Sequence, residues 1–136
     1  MIYRRYGASL QSVDLNFDSK ALNEIGFRRN RESSIPADDF ESRYDLVETV
    51  ELVTEAEGDV QDHTEQQLLD RLEGRIGEVV GRLGDGQIVV VENEQGHDYP
   101  KTKQQTSNVV VEGENRLRFT YTVAPPLRLG LYGPKV

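Results

Sequence analysis

The sequence predicts an α+β protein in which a single curved antiparallel sheet packs against one long amphipathic helix. First, the segment of about Asp62–Leu83 repeats its apolar residues at the spacing of one face of an α-helix. Second, the segments on both sides of it alternate apolar and polar residues or form short apolar runs, as β-strands do. A parallel sheet would need several crossover helices, whereas only one long helix is indicated.

The composition limits the domain organisation and the location of the protein. A chain of 136 residues predicts a single α+β domain over residues 1–136. Cysteine is absent, which excludes disulfides and thiolate metal sites and fits a reducing compartment. No apolar run approaches the roughly 18 residues of a membrane span, and no apolar secretory segment follows Met1. We therefore expect a soluble, cytoplasmic protein that has no membrane partner.

The charge balance bears on the partners of the protein. The formal net charge is -8, whereas a general nucleic-acid binder needs a basic surface to neutralise phosphates. We therefore expect no nucleic-acid partner for this acidic protein.

The first 43 residues predict strands with two short helical segments between them. The pattern over Ile2–Phe17 indicates one or two strands interrupted at Gly7. Lys20–Ile25 is predicted as a short helix, and Phe27–Ser33 as an extended segment that carries several arginines. Ala37–Arg43 is predicted as a single helical turn.

The segment before the long helix is predicted to be one long strand, and a β-bulge within this strand is an open alternative. Tyr44–Glu57 is rich in valine, threonine and leucine, which favour strands, and acidic residues interleave throughout. Asp62 is predicted to cap the helix that follows, with Glu65 completing a capping box. Gly84–Gly86 ends the helix.

The rest of the chain predicts strands around one long loop. Ile88–Val91 is a continuous apolar run, typical of a strand buried on both faces. Glu92–Asn108 is polar and is predicted as a long loop, whereas Glu112–Asn115 is predicted as a hairpin turn. Leu127–Leu131 is predicted as a short strand, and the prolines before it place it near a sheet edge.

Three glycines form a stripe on the helix, roughly opposite its apolar face. Gly74, Gly77 and Gly81 recur at helical spacing, and each costs about 1 kcal/mol relative to alanine inside a helix. The stripe indicates that another backbone approaches closely, from the same chain or from a second subunit. The alternative is a helix that bends or frays there.

A second group of residues is a candidate site for a small anionic ligand. Arginine forks onto carboxylates and phosphates, and a histidine beside acidic and phenolic groups can transfer protons. Intramolecular ion pairs with the acidic strand are the alternative for the arginines. The candidate ligand-binding residues are Arg28, Arg29, Arg31, His97, Tyr99 and Lys101.

Metal binding and catalysis have little support in the sequence. The cluster Asp59, Asp62, His63 and Glu65 offers metal-ligand atom types, but capping and the helix dipole account for acids at a helix start. We predict no metal ligands and no cofactor. No P-loop, HExxH, Gly-X-Ser-X-Gly or dinucleotide fingerprint is present, and no catalytic residue is predicted.

The sequence therefore favours a non-catalytic module that associates with itself or with another protein, such as a subunit of a larger assembly. The alternative is a small anionic-ligand-binding protein or enzyme, with a site formed by the Glu92–Asn108 loop and the arginine-rich strands.

Overall fold

The computed structural model describes residues 2–18, 24–93 and 101–136. Within these residues the chain forms two helices, α1 (Ala37–Arg43) and α2 (Gln61–Gly81), and nine strands. The strands are β1 (Ile2–Tyr6), β2 (Ser9–Asp18), β3 (Glu24–Pro36), β4 (Tyr44–Leu52), β5 (Glu55–Gly58), β6 (Ile88–Val91), β7 (Lys101–Val111), β8 (Glu114–Ala124) and β9 (Leu127–Pro134). The predicted α+β class is confirmed. No helix among the described residues has the length and apolarity needed to cross a membrane.

The sheet is mixed, so the prediction of a wholly antiparallel sheet is wrong. The strand order is β4-β9-β6-β1-β2-β3-β7-β8-β5, and the pairing between β1 and β6 is parallel. Among the described residues β3 and β7 are joined only by the pair Glu24–Lys101. The order therefore divides into a mixed seven-strand part, from β4 to β7, and a three-strand antiparallel part, β7-β8-β5.

The two end strands of this order are consecutive in the chain, and this curves the sheet. Only Val53 and Thr54 separate β4 from β5, and two connecting residues span about 10 Å at most. The backbone N–H of Val123 donates to the carbonyl of Thr54 at 3.3 Å, which joins this connection to β8. The segment Tyr44–Glu57 is therefore extended as predicted, but it forms two strands and not one, and β4 contains a register shift between Leu46 and Glu48.

Helix α2 covers the larger apolar core. Its buried side chains Leu68, Leu72 and Ile76 pack in one cluster with residues of β4, β5, β6, β8 and β9. The predicted long helix is thus confirmed, but the predicted capping box is wrong. The N-cap residue is Val60, no side chain caps the helix, and the Thr64 hydroxyl instead donates to the carbonyl of Val60 at 2.7 Å.

Strand β6 separates two clusters of apolar side chains. Val89 and Val91 belong to the α2 cluster, whereas Val90 packs with Leu10 and Phe40 on the α1 side. All three valines are at most 4% exposed, which confirms a strand buried on both faces. The turn of helix predicted over Ala37–Arg43 is confirmed as α1, and it brings Phe40 onto this second cluster.

Three further predictions are wrong. Lys101–Asn108, part of the predicted Glu92–Asn108 loop, belongs to β7, because pairing with β8 satisfies its polar backbone. Strand β9 lies between β4 and β6, not at an edge, because its prolines precede the strand and leave its ladder intact. The helix predicted over Lys20–Ile25 is the third: its last two residues, and the glycine that follows them, lie in β3 and pair with β2. Residues 19–23 lie outside the described part of the chain.

Candidate interaction surface

Strands β7 and β8 form a long hairpin whose turn matches the prediction. Each residue from Lys101 to Val111 pairs with a residue of β8. The turn residues Glu112 and Gly113 both have positive φ, at 53° and 80°. Positive φ at both central residues is the type I′ geometry, which follows the right-handed twist of the strands it joins.

The hairpin has a buried base. Tyr121 is 1% exposed and Val123 is buried beside it in the α2 cluster. The Tyr121 hydroxyl donates to Oε1 of Gln104 at 3.2 Å, and the Gln61 amide donates to the same oxygen at 3.2 Å. Burial is the largest cause that raises the pKa of Tyr121, so this phenol stays protonated as a donor at neutral pH. The hairpin is therefore held firmly where it leaves the body of the protein.

The far half of the hairpin is exposed on both faces. Val110 and Leu117 lie on the same face of the hairpin as the buried Tyr121, and they are 68% and 53% exposed. Val111 lies on the other face and is 41% exposed. Isolated two-stranded ribbons are marginally stable in water, and large apolar side chains exposed together mark contact surfaces.

Both edges of this far half extend beyond the neighbouring strands. On the β8 side, β5 pairs only with the residues from Phe119 to Thr122, so Glu114–Arg118 has no second neighbour among the described strands. On the β7 side, Lys101 is the one described residue paired with β3. A pocket of about 210 Å³ lies beside the β8 edge. It is lined by Asp59, Val109, Val111, Arg116, Leu117 and Arg118.

The predicted glycine stripe faces open space. A Cβ atom built on Gly74, Gly77 or Gly81 has no heavy atom within 4 Å outside the local backbone of the helix. Within the described residues, the prediction that another part of the same chain closely approaches these glycines is therefore wrong for all three. The intersubunit contact stays a prediction.

The predicted anionic-ligand residues do not form one described site. Arg28 and Arg29 are exposed on β3, and the described ion pairs do not join them to β4, because β3 and β4 are not neighbours. The Arg29 Nε donates to Gln11 Oε1 at 2.7 Å, and its guanidinium lies 4.3 Å from the centre of the Tyr6 ring. Arg29 is thus already engaged within the protein.

Of the other candidate ligand-binding residues, only two lie within the described part of the chain. Arg31 lies in β3, and Lys101 is the first residue of β7. His97 and Tyr99 lie outside the described residues, so the structure does not test them.

The acidic cluster at the start of α2 does not form a metal centre. No group of three or more potential ligands comes together within the described ranges. His63 instead hydrogen-bonds through Nε2 to the amide nitrogen of Gln67 at 3.0 Å. Burial, and to a smaller extent the charge of Asp62, raises the pKa of Glu65.

A polar pair on the α1 side of the sheet escaped the sequence analysis. The Tyr132 hydroxyl donates to Glu92 Oε1 at 2.5 Å, and Phe40 packs edge-on against the Tyr132 ring at 4.8 Å. Gly130 makes room for this pair, because a Cβ there would lie 2.8 Å from the Tyr132 ring and against the carboxylate. The two partners are 40 residues apart, so only the pairing of β6 with β9 brings them together.

Comparison with protein-family models, with curated proteins and with solved structures found no match for this chain.

Proposed function

We propose that this chain is a non-catalytic, self-associating module. The observation that carries the proposal is the far half of the β7–β8 hairpin, which exposes Val110, Val111 and Leu117. Full burial of a wholly exposed side chain of this size contributes about 1.5–3 kcal/mol, so these three side chains, which are 41% to 68% exposed, each offer part of that gain. A gain of that size, less the entropy of association, supports a weak to moderate complex.

The raised tyrosine pKa values support a structural role for the polar groups of the fold. Burial is the largest cause of the raised pKa of Tyr3, Tyr121 and Tyr132. A phenol with a raised pKa stays protonated at neutral pH and is a poor general base. Tyr121 and Tyr132 accordingly donate hydrogen bonds to side chains of the fold.

The solution mass tests the proposal directly. Size-exclusion chromatography with light scattering, run from about 1 µM to 1 mM, spans the affinities expected of a small interface. We expect a mass that rises from 15.4 kDa towards a whole multiple of it as the concentration increases. A mass of 15.4 kDa over the whole range would contradict self-association.

A further inference from the structure

We infer that the edge of β7 that faces away from β8 pairs with the same edge of a second copy. The two β7 strands run antiparallel and are related by a two-fold axis. The inference rests on the proposed self-association and names the surface and the geometry by which it occurs. A pairing of this kind joins the sheets of the two copies through backbone hydrogen bonds.

The β7 edge is available for such pairing. Within the described residues it meets β3 only at Lys101, while its other side is paired with β8 along its whole length. The side chains from Lys103 to Asn108 and at Val110 and Val111 are exposed. Within the described residues, an added strand would thus meet a row of backbone groups at the side of a hairpin whose base is buried.

The edge also has an unusual composition. Gln104–Val111 reads Gln-Gln-Thr-Ser-Asn-Val-Val-Val and contains no charged residue, no proline and no glycine. Proteins normally protect free strand edges from pairing with charged side chains, prolines or bulges. This eight-residue stretch carries none of these side-chain devices.

The other free edges of the same sheet are protected by charge. The β4 edge carries three acids and the β5 edge carries two. The unpaired stretch of β8 carries an acid and two arginines. These residues are Asp45, Glu48 and Glu51 on β4, Glu55 and Glu57 on β5, and Glu114, Arg116 and Arg118 on β8. In contrast, pairing along the Gln104–Val111 stretch of β7 brings no charged side chains together.

The absence of charge favours a second copy as the occupant. Two-fold antiparallel pairing places a strand opposite itself, so a charged residue close to the axis meets an identical charge, which is destabilising. A pairing centred on Ser107, for example, places Thr106 opposite Asn108 of the other copy. An uncharged strand of polar residues that ends in three valines accepts this self-pairing.

Lysines placed on the edge test the inference. Thr106→Lys/Asn108→Lys adds two charges whose cross-strand neighbours within the hairpin are Phe119 and Leu117, so no like charge lies directly opposite either of them inside one copy. In the dimer they face the same lysines of the other copy. We expect the dimerisation constant to weaken at least about tenfold by light scattering, since like charges opposite one another destabilise strand pairs.

A charge-swap experiment separates lost pairing from damaged folding. Thr106→Glu/Asn108→Glu is expected to be monomeric alone for the same reason. An equimolar mixture of the lysine and glutamate variants is expected to regain association, because opposite charges then face one another across the two-fold. If both variants dissociate and the mixture stays monomeric, edge pairing of β7 is overturned.

Two further variants locate the interface if it is elsewhere. Thr49→Lys/Gln66→Lys adds the same charge at exposed positions on β4 and α2 and is expected not to weaken the association. Gly77→Glu tests the glycine stripe in the same way. A multimer that survives the β7 lysines but is lost with either of these variants overturns the edge inference and keeps the proposed function. A native chain that is monomeric at every concentration overturns both.

Discussion

At the scale of single residues, the contact between Tyr132 and Glu92 links β9 to the residue that follows β6. The pKa of Tyr132 is raised to about 12 from 10.0, first because the ring is buried and then because Glu92 accepts its hydrogen bond and repels the phenolate. Arg5 lowers it by a smaller amount. The folded protein therefore holds this proton more tightly than the unfolded chain does.

The pair predicts a defined dependence of stability on pH. Because the folded pKa lies above the unfolded one, its contribution is complete below pH 10.0 and is lost as the pH rises to about 12. Tyr132→Phe is expected to lower the free energy of unfolding by about 1–2 kcal/mol at pH 7, since it removes a hydrogen bond to a charged acceptor. Urea titrations between pH 7 and pH 12 measure both effects.

In these titrations the variant should also lose stability less steeply above pH 10.0 than the native protein does. Some loss will remain, because burial raises the pKa of Tyr3 and Tyr121 as well. An equally steep loss in both proteins would show that Tyr132 does not hold its proton through this contact.

At the scale of secondary-structure elements, the same substitution is expected to have opposite effects in α2 and in β9. Gly77 has open space around it, so Gly77→Ala should stabilise the helix by about 0.5–1 kcal/mol. In Gly130→Ala, the new methyl group meets the Tyr132 ring at 2.8 Å and displaces Glu92. A loss of about 1–3 kcal/mol is expected there, since overpacking costs this much.

Thermal or urea unfolding of the two alanine variants gives the comparison. The native protein is measured at a concentration where it is monomeric, so that any intersubunit contact at the stripe does not contribute. A destabilised Gly77→Ala monomer would mean that the glycine is needed within the helix itself, for instance for a bend.

The elements that the sequence predicted are those whose signal is local. The apolar patterns of helix α2 and strand β6 can be recognised within their own short segments, and both elements formed as predicted. The prediction of a loop failed over Lys101–Asn108, because the polar side chains there face solvent on a hairpin while the backbone is satisfied by β8. The position of β9 and the parallel pairing of β1 depend on strands distant in the chain, which no local pattern records.

The candidate interaction surface shows the same difference between features with a local sequence signal and features that depend on long-range packing. The predicted glycine positions were read correctly as one helix face, because helical spacing is local. Whether that face was covered within the chain depended on packing, and it is open. The exposed β7 edge escaped because a free edge is defined by which strand is absent beside it.

At the scale of the whole molecule, the net charge of -8 opposes self-association. Two copies repel one another through their acidic surfaces, and the repulsion is weakest where the approaching surfaces carry no charge. The uncharged Gln104–Val111 edge is such a surface, and β8 lies between it and the acidic strand β5. The geometry of the hairpin and the charge of the molecule thus lead to the same surface.

This balance predicts that salt strengthens the association. Raising the ionic strength from 0.02 M to 0.5 M shortens the screening length from about 20 Å to about 4 Å, which removes most of the repulsion between the two acidic bodies. Backbone hydrogen bonds and apolar contacts at the β7 edge change little over that range. We expect the dimerisation constant, measured by sedimentation or light scattering, to tighten several-fold. An interface held by ion pairs, such as one between the arginines of the β8 tip and an acidic edge, would weaken instead, and that result would exclude the β7 pairing as the main contact.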